Sequence, residues 1–346
     1  MKLMALEHTR RASLGAFVSV ALAAFGASVP AHAADYNLRM QANTGPGLTP
    51  YIALEEFVEN VKAMSDGRIE IQLFPVSALF PPNEGLEAVA TGIVELGLTT
   101  GGYFAGQMGP IATMESGLPG AEANAWERNA FFYEKGFINI VRDAYSEHGV
   151  HYLAPNLGSP WEIVSKVPLS SAADFQGKKI RGFGIEAEWF QSLGAEPVNI
   201  GGAEIYTALA TGVVDAVRWG DESQNLAQGL HEVGKYYIKP APMPAPNNHI
   251  LVNQATWDSM SPDLQAILEG AAKLASMKYL TLTAMSRGPA RAELEAAGME
   301  FMTIPADEWL AMQQKVRAIW AMYGEQDERA AEAVELLQDF LAELGR

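Results

Sequence analysis

The chain contains no cysteine in its 346 residues. Disulfide bridges, thiolate metal sites and cysteine nucleophiles are therefore excluded. Apart from the amino-terminal stretch 12–29, no segment approaches the roughly 20 continuous apolar residues that a membrane-spanning helix needs. Because 49% of the residues are hydrophobic, the chain can instead bury a large core.

Basic residues are scarce relative to acidic ones, at 24 against 41, which gives a net charge of −17. Such a surface repels nucleic acid and anionic lipid, so neither is expected as a partner. The acidic residues are scattered, as is typical of a solvated surface. An anionic ligand must then be held by a few buried basic groups against an unfavourable overall field.

Sequence signatures of catalysis are also few. No G-x-S-x-G motif occurs, so a hydrolase of the nucleophile-elbow kind lacks its anchor. His148 and His151 are spaced i, i+3, but no HExxH motif or carboxylate ligand set accompanies them, and a metal site is not predicted. The segment Gly182–Ala187 fits G-x-G-x-x-A after a predicted strand, which leaves a dinucleotide-binding alternative open.

The amino terminus has the pattern of a secretory signal peptide. Three basic residues, Lys2, Arg10 and Arg11, precede the apolar run 12–29. The tripeptide Ala31-His32-Ala33 supplies the small-x-small pattern of a signal-peptidase site. We therefore expect residues 1–33 to be removed after Ala33 and the mature chain to be exported.

One pattern occurs twice, as EGLEAVATGIVELGL at 84–98 and as EIYTALATGVVDAVR at 204–218. Each copy predicts a helix closed by glycine and followed by a short strand. Two copies indicate two similar lobes, although chance recurrence in an Ala-rich chain is the alternative. Because ligands of open α/β sheets bind beyond the carboxyl ends of strands, segments 98–100 and 218–219 should face a shared cleft.

Periodicity predicts alternating strands and helices along the mature chain. Strands are expected at 36–42, 68–74, 150–154, 161–167, 179–183 and 299–304, and helices at 49–65, within 124–147, and from 306 and 326. The Pro-rich segment Met243–Asn248 is predicted to return the chain from one lobe to the other. Ser261, as N-cap before Pro262, opens a long helix that Gly288-Pro289 should kink or stop.

Several segments resemble the solute-binding proteins of tripartite ATP-independent periplasmic (TRAP) transporters, of the DctP type. They are FPVSAL (74–79), DFQGKKIR (174–181), LGAEP (193–197), EIYTAL (204–209), GVVDA (212–216) and LHEVGKYY (230–237). The resemblance covers nearly all of the mature chain in one order and spacing. Arg218-Trp219 and NLAQGLH (225–231) are most similar to the subgroup that binds 2-oxo acids.

This resemblance implies an α/β, two-lobed periplasmic binding protein, a class II-like clamp with hinge strands and a long helix spanning both lobes. Lobe 1 is expected at 34–155 plus about 243–305, lobe 2 at 156–242, and carboxy-terminal helices at 306–346. The implied function is capture of a small organic acid in the periplasm, a carboxylate such as a dicarboxylate or 2-oxo acid, or a sulfonate. The ligand is then delivered to membrane permease subunits, with no enzymatic reaction and no cofactor.

The family resemblance implies that Arg181, at the end of its strand, pairs with the ligand carboxylate. A guanidinium has two parallel donors that match two carboxylate oxygens, and each charge-assisted bond contributes roughly 1.5–3 kcal/mol. Trp161 and Trp219 match positions that line the pocket in relatives, where two tryptophans can exclude water from a small ligand. Tyr103 is expected to donate its hydroxyl across the cleft.

The chain departs from the 2-oxo-acid subgroup at two positions. That subgroup holds a cation with a Gln and a Glu, whereas the matching residues here are Pro160 and Arg218. A bound cation is therefore not expected. Arg218 is expected to contact the same carboxylate as Arg181 or a second acidic group of the ligand. The alternative is that Arg218 turns outward to pair with Asp221 or Glu222.

Two other functions use the same cleft. A periplasmic oxidoreductase or lyase acting on a small organic acid would need a general acid or base, and the candidate residues are mainly arginines and aromatics. The input partner of a two-component sensor would use the same clamp. It would differ only in the protein that recognises the closed form, a sensor in place of a permease. Members of the resembled subgroup can form homodimers by exchanging the carboxy-terminal helix, and residues 326–344 are amphipathic enough for this.

Overall fold

The strands of this protein form two separate sheets. The computed structural model describes residues 34–346, so the expected signal peptide lies outside the described residues. In chain order the strands are β1 (Tyr36–Gln41), β2 (Ile69–Phe74), β3 (Leu96–Thr99), β4 (Val150–Leu157), β5 (Trp161–Ser165), β6 (Lys179–Arg181), β7 (Glu196–Val198), β8 (Ala216–Arg218), β9 (Tyr236–Met243), β10 (Asn247–Asn253) and β11 (Glu300–Thr303).

The first sheet has the order β2-β1-β3-β10-β4, and the second has the order β11-β9-β5-β8-β6-β7. In the first, β1 runs parallel to β2 and β3, while β10 is antiparallel to β3 and β4. In the second, β6 runs parallel to β7 and β8, while β5 is antiparallel to β8 and β9. Each sheet is the centre of one lobe, and the predicted two-lobed α/β architecture is confirmed.

Helices connect most of the strands and cover both sheets. They are α1 (Thr49–Met64), α2 (Gly85–Ala90), α3 (Ala105–Met108), α4 (Pro110–Ser116), α5 (Ala125–Tyr133), α6 (Phe137–Ser146), α7 (Gly184–Ser192), α8 (Ile205–Thr211), α9 (Glu222–Ala227), α10 (Gln254–Ser259), α11 (Pro262–Ala296), α12 (Ala306–Gly324) and α13 (Glu328–Glu343). The apolar residues that recur along one face of these helices pack into the core. In α1, for example, Leu54, Phe57 and Val61 are fully buried in the core of the first lobe.

The repeated pattern folds into the same unit twice, once as α2 and β3 and once as α8 and β8. Gly92 and Gly212 end the two helices with φ values of +74° and +75°. This left-handed conformation favours glycine, because a Cβ atom would be strained there. The turn after each helix also has the same hydrogen bond in both copies. Val94 N donates to Ala88 O and Val214 N donates to Ala208 O, both at 3.3 Å.

Two crossings and one long helix join the lobes. The chain passes between the sheets at 158–160, after β4, and at 244–246, after β9, so the predicted returning linker is three residues long and its flanks belong to strands. Helix α11 packs against α1 and β4 on one side and against α9 on the other. A Cβ atom at Gly158 would lie 2.0 Å from the Tyr279 ring of α11, so this approach requires glycine.

Helix α11 differs from its prediction at both ends. It continues through Gly288-Pro289 to Ala296, although an internal proline costs about 3 kcal/mol in a helix. Ala290 and Leu294, beyond the proline, are buried, and this packing stabilises the last two turns. At the start, Ser261 occupies the N-cap position, but its side chain makes no capping hydrogen bond.

The expected boundary of lobe 1 is wrong at strand β11. The sequence predicts that lobe 1 extends to about residue 305, yet β11 pairs in parallel with β9 of the second sheet. The Phe301 and Tyr237 rings stack across this pairing with centroids 4.7 Å apart. An apolar contact between distant segments therefore places the strand.

The two carboxy-terminal helices pack on the rest of the chain. Helix α12 contacts α7 of the second lobe, and α13 contacts α12, α4 and α6. The face of α13 that carries Ala333, Leu337 and Phe340 is buried in these contacts. Among residues 34–346, no helix combines the length and the apolar character needed to cross a bilayer.

Candidate functional site

A cleft lies where the carboxyl ends of strands from the two sheets meet. Its empty space is about 570 Å³, including the part open to solvent. The five residues predicted for the site all line it: Tyr103, Trp161, Arg181, Arg218 and Trp219. Thr100, which follows the first copy of the repeat, lines the cleft with Arg218-Trp219 of the second, as the repeat predicts.

Arg181 ends strand β6 and is only 1% exposed. Its Nε donates to the carbonyl oxygen of Ile200 and its Nη1 to that of Arg218, both at 3.1 Å. These backbone bonds orient the guanidinium without neutralising it. Burial, and then the neighbouring Arg218, lower the pKa of Arg181 to about 9.

Arg218 ends strand β8 and is paired with a carboxylate that the sequence analysis did not identify. Its Nε and Nη2 contact Oε2 of Glu186, on the first turns of α7. Burial raises the pKa of Glu186, and the contact with Arg218 only partly opposes this. The alternative pairing of Arg218 is wrong, because Asp221 caps α9 and Glu222 binds Lys239 and Arg287.

Each of the two guanidinium groups lies over two aromatic rings, and both share the ring of Phe183. Arg218 lies 4.4 Å from the Trp161 centroid and 4.8 Å from that of Phe183. The guanidinium carbon of Arg181 lies 4.8 Å from the Phe183 centroid and 5.3 Å from the Trp219 centroid. Cation–π contacts of this kind hold planar cations without consuming their in-plane hydrogen-bond donors.

The first lobe lines the cleft with uncharged polar groups. Asn43 Nδ2 donates to Asn248 Oδ1 at 3.1 Å, and Thr100 also lines the cleft. The Tyr103 ring stacks on Phe183 of the second lobe, with centroids 5.8 Å apart. A Cβ atom at Gly102 would meet the Phe183 ring at 2.5 Å, so this contact between the lobes depends on glycine.

A buried carboxylate holds the turn that carries Tyr103. Glu115, fully buried in α4, accepts from Gly101 N at 3.0 Å and from His249 Nδ1 at 2.9 Å. Burial alone would raise the pKa of Glu115, but His249 and the hydrogen bonds outweigh it and lower the pKa. Strand β10 and the Tyr103 turn are therefore tied to one anchor.

Seven residues that line the cleft were missed by the sequence analysis: Asn43, Thr44, Pro50, Phe183, Gln224, Asn248 and Tyr279. Gln224 Nε2 donates to Ser159 Oγ at 2.8 Å and to the Tyr279 hydroxyl at 2.9 Å, which links α9, the first crossing and α11. Only Phe183 had a local signal, since it lies in the Gly182–Ala187 segment. In that segment Gly182 and Gly184 flank Phe183, whose ring contacts the guanidinium groups of Arg181 and Arg218.

Comparison with known proteins identifies the family. Residues 40–327 match the model of bacterial extracellular solute-binding protein family 7, DctP. The chain belongs to this family of TRAP-transporter solute-binding proteins. The family and its solved relatives are solute-binding receptors rather than enzymes, and the oxidoreductase or lyase alternative finds no support. The family resemblance read from the sequence is confirmed.

Named relatives cover most of the chain. A monocarboxylate 2-oxoacid-binding periplasmic protein of Nostoc sp. is 27% identical over 277 residues, 80% of this chain and 76% of that protein. The C4-dicarboxylate-binding periplasmic protein DctP of Rhodobacter capsulatus is 25% identical over 333 residues, 90% and 91% of the two chains.

A solved structure shows the same fold. It is a TRAP periplasmic solute-binding protein from Colwellia psychrerythraea with bound calcium and pyruvate, and its sequence is 26% identical to this chain. The TM-score is 0.81, and the match covers 89% of this chain and 95% of that one. The two lobes and their connections are therefore those of a TRAP binding protein.

Proposed function

We propose that this TRAP binding protein captures a small organic acid and that Arg181 binds the acid's carboxylate. The observation that carries the proposal is the state of Arg181. Among residues 34–346 this buried guanidinium has no acidic partner, and its two hydrogen bonds go to neutral carbonyls. A buried charge is costly unless it is paired, so the site is suited to an anion from solution.

The aromatic walls complete the binding site. Trp161, Trp219 and Tyr103 line the cleft around the guanidinium, and the ring of Phe183 contacts both arginines. Rings at these positions exclude water from a small ligand and so strengthen the charge-assisted hydrogen bonds. We assign Tyr103 the role of a donor from the first lobe.

The ligand acts on the protein by closing the cleft. Groups from both lobes line it, so an acid bound to Arg181 also contacts Tyr103 and favours the closed form. The mature chain, exported after cleavage behind residue 33, then delivers the acid to the membrane permease subunits of the periplasmic transporter. Release leaves the ligand chemically unchanged.

We further propose that the acid is held without a metal ion. The Colwellia relative contains calcium beside its pyruvate. Calcium prefers several oxygen ligands, carboxylates above all. The residues that line this cleft include no Asp or Glu, and Arg218 adds a positive charge. Among the described residues, no group of three or more His, Asp or Glu side chains has a metal-binding arrangement.

A ligand screen of residues 34–346 tests this function. Thermal unfolding is measured with monocarboxylates, dicarboxylates, 2-oxo acids and sulfonates, with and without a chelator. An acid present at about 1,000 times its dissociation constant stabilises the protein by about 4 kcal/mol, which raises Tm by several degrees. We expect a chelator-insensitive shift that Arg181→Met abolishes.

Arg317→Met is the matched control, because Arg317 is exposed on α12 and does not line the cleft. It should leave the ligand-induced shift unchanged. If no acid stabilises protein that mass spectrometry shows to be free of ligand, the assignment of an acid to Arg181 is wrong. A shift that needs calcium would instead contradict the metal-free site.

Exchange of helix α13 between two copies stays a prediction. In this chain α13 packs on α12, α4 and α6, and the same buried face would make the same contacts in a swapped dimer. Light scattering after size-exclusion chromatography measures the mass directly. A value twice that of the mature chain supports exchange, and the monomer mass at all concentrations contradicts it.

A further inference from the structure

The second arginine of the cleft differs from the first because it has its own counter-ion. Arg218 is 2% exposed, and both of its contacting nitrogens lie against one carboxylate oxygen of Glu186, which is 1% exposed. Glu186 also lines a smaller compartment that adjoins the cleft and shares Trp161, Phe183 and Arg218 with it. The pair is therefore part of the wall of the binding site.

The charges of the site can be counted from these contacts. Arg181 has no acidic partner among the described residues, and Arg218 has one. The other side chains that line the cleft are neutral, including Asn43, Gln224 and Asn248. With Glu186 ionised, the cleft and its wall together have one uncompensated positive charge.

We propose that Glu186 limits the ligand to a single negative charge and so excludes dicarboxylates. This inference rests on the proposed function, in which a carboxylate binds Arg181. A second carboxylate near Arg218 would compete with Glu186 for one guanidinium. Either the ligand carboxylate or Glu186 would then be buried without a counter-ion, and both outcomes weaken binding.

Arg218 was expected to contact the same carboxylate as Arg181 or a second acidic group of the ligand, but its acidic partner in the structure is Glu186 of the protein. Glu186 and Arg218 come from different elements, α7 and β8, and their contact is as close as an acidic ligand's would be. Removing the Glu186 charge should therefore recreate a site for a dianion. Glu186 is a specificity-determining residue in this account.

Calorimetric titration of residues 34–346 tests the inference with pairs of acids that share a skeleton. The pairs are butyrate and succinate, 2-hydroxybutyrate and malate, and 2-oxovalerate and 2-oxoglutarate. For the pair that binds, the wild type should favour the monocarboxylate by at least about tenfold, as one unsatisfied charged hydrogen bond predicts. Glu186→Gln should strengthen dicarboxylate binding by at least about tenfold and so reduce or reverse this preference.

Glu196→Gln is the matched control, because Glu196 is exposed on β7 of the same lobe and lines neither compartment. It removes the same charge and should not alter the preference. Glu186→Gln leaves Arg218 buried without a partner and can destabilise the fold. The double variant Glu186→Gln/Arg218→Gln removes both charges, retains the net charge of the site, and should regain the preference for the monocarboxylate.

Three results would overturn the inference. They are a wild type that binds a dicarboxylate more tightly than its monocarboxylate partner, a Glu186→Gln variant with unchanged preference, and a double variant that prefers dicarboxylates. In each case binding that Arg181→Met still abolishes leaves the proposed function intact. If neither kind of acid binds the wild type, the proposed function fails, and the inference fails with it.

Discussion

The two copies of the αβ unit, 84–98 and 204–218, share a backbone and differ at the ends of their strands. Strand β3 is followed by Thr100, whose hydroxyl is within 3.1 Å of Ser116 Oγ. Strand β8 ends at Arg218 and is followed by Trp219, and both line the cleft. The first lobe therefore contributes uncharged groups to the cleft, and the second contributes the charge and most of the aromatic surface.

This difference separates two tasks that the repeated backbone could serve equally. A hydrogen bond between two neutral groups makes a net contribution of about 1 kcal/mol, and a hydrogen bond to a charged group contributes about 1.5–3 kcal/mol. The second lobe should therefore determine affinity for an anion. The first lobe completes the enclosure, with Tyr103 stacked on Phe183 across the cleft.

The largest expected effect comes from replacing a charged side chain of the second lobe with an uncharged side chain of similar length. Arg181→Met should weaken binding of the acid found in the ligand screen by more than about 100-fold, because a buried bidentate partner is lost. Asn43→Ala, on the opposite wall, should weaken it by less than about tenfold. Calorimetric titration measures both. Equal losses would contradict the division of tasks between the lobes.

Acid should destabilise the first lobe through His151. Burial, and then Arg142, lower the pKa of this histidine to about 4, against the opposing effect of Asp258. Below pH 6.5 His151 is protonated in the unfolded chain but stays neutral in the folded chain. Stability is therefore lost as the pH falls from 6.5 to 4. We expect a loss of about 2 kcal/mol, a value reduced for partial exposure.

His151→Phe should remove this part of the pH dependence. The imidazole stacks on Trp257 with centroids 3.9 Å apart, and a phenyl ring can keep that contact. Urea unfolding of both proteins at pH 7.5 and pH 4.5 gives the comparison. If the two free energies of unfolding fall by the same amount on acidification, His151 does not contribute.

A smaller effect concerns the contact between the lobes. In Gly102→Ala the added methyl group would lie 2.5 Å from the Phe183 ring, so the cleft should close less completely. Affinity for the acid should fall about tenfold, as loss of roughly 1.4 kcal/mol implies. Gly106→Ala is the control, because a methyl group there meets no atom within 4 Å. Equal affinity of the two variants would argue against a required contact.

The smallest effect tests the shared backbone itself. Gly92→Ala and Gly212→Ala should each cost about 1 kcal/mol of stability, because both positions are left-handed and little else surrounds them. Gly288→Ala, within helix α11 and in open space, should stabilise by about 0.5–1 kcal/mol instead. Urea denaturation measures all three. Costs at the two repeat glycines that differ by more than about 1 kcal/mol would show that the copies are not equivalent.

Local patterns determined much of this protein. The αβ repeat could be read from the sequence because helix periodicity and the glycine at each helix end depend on neighbouring residues. Arg218 and Trp219 could be placed at the cleft because they lie at the carboxyl end of the strand predicted in the second copy of the repeat. Arg181 and Trp161 followed from the family resemblance, and Tyr103 followed from its place in the Gly-rich segment 97–109.

Tertiary structure decided the rest, because it depends on which distant segments meet. Glu186 lies 32 residues before Arg218, and no local pattern indicates that a helix start and a strand end share one buried ion pair. Packing beyond Pro289 likewise outweighed the local cost of a helical proline, and the stacking of Phe301 on Tyr237 placed β11 in the second sheet. The sequence by itself determined the lobes and the arginine expected to bind an anion. The charge balance around that arginine was decided by the fold.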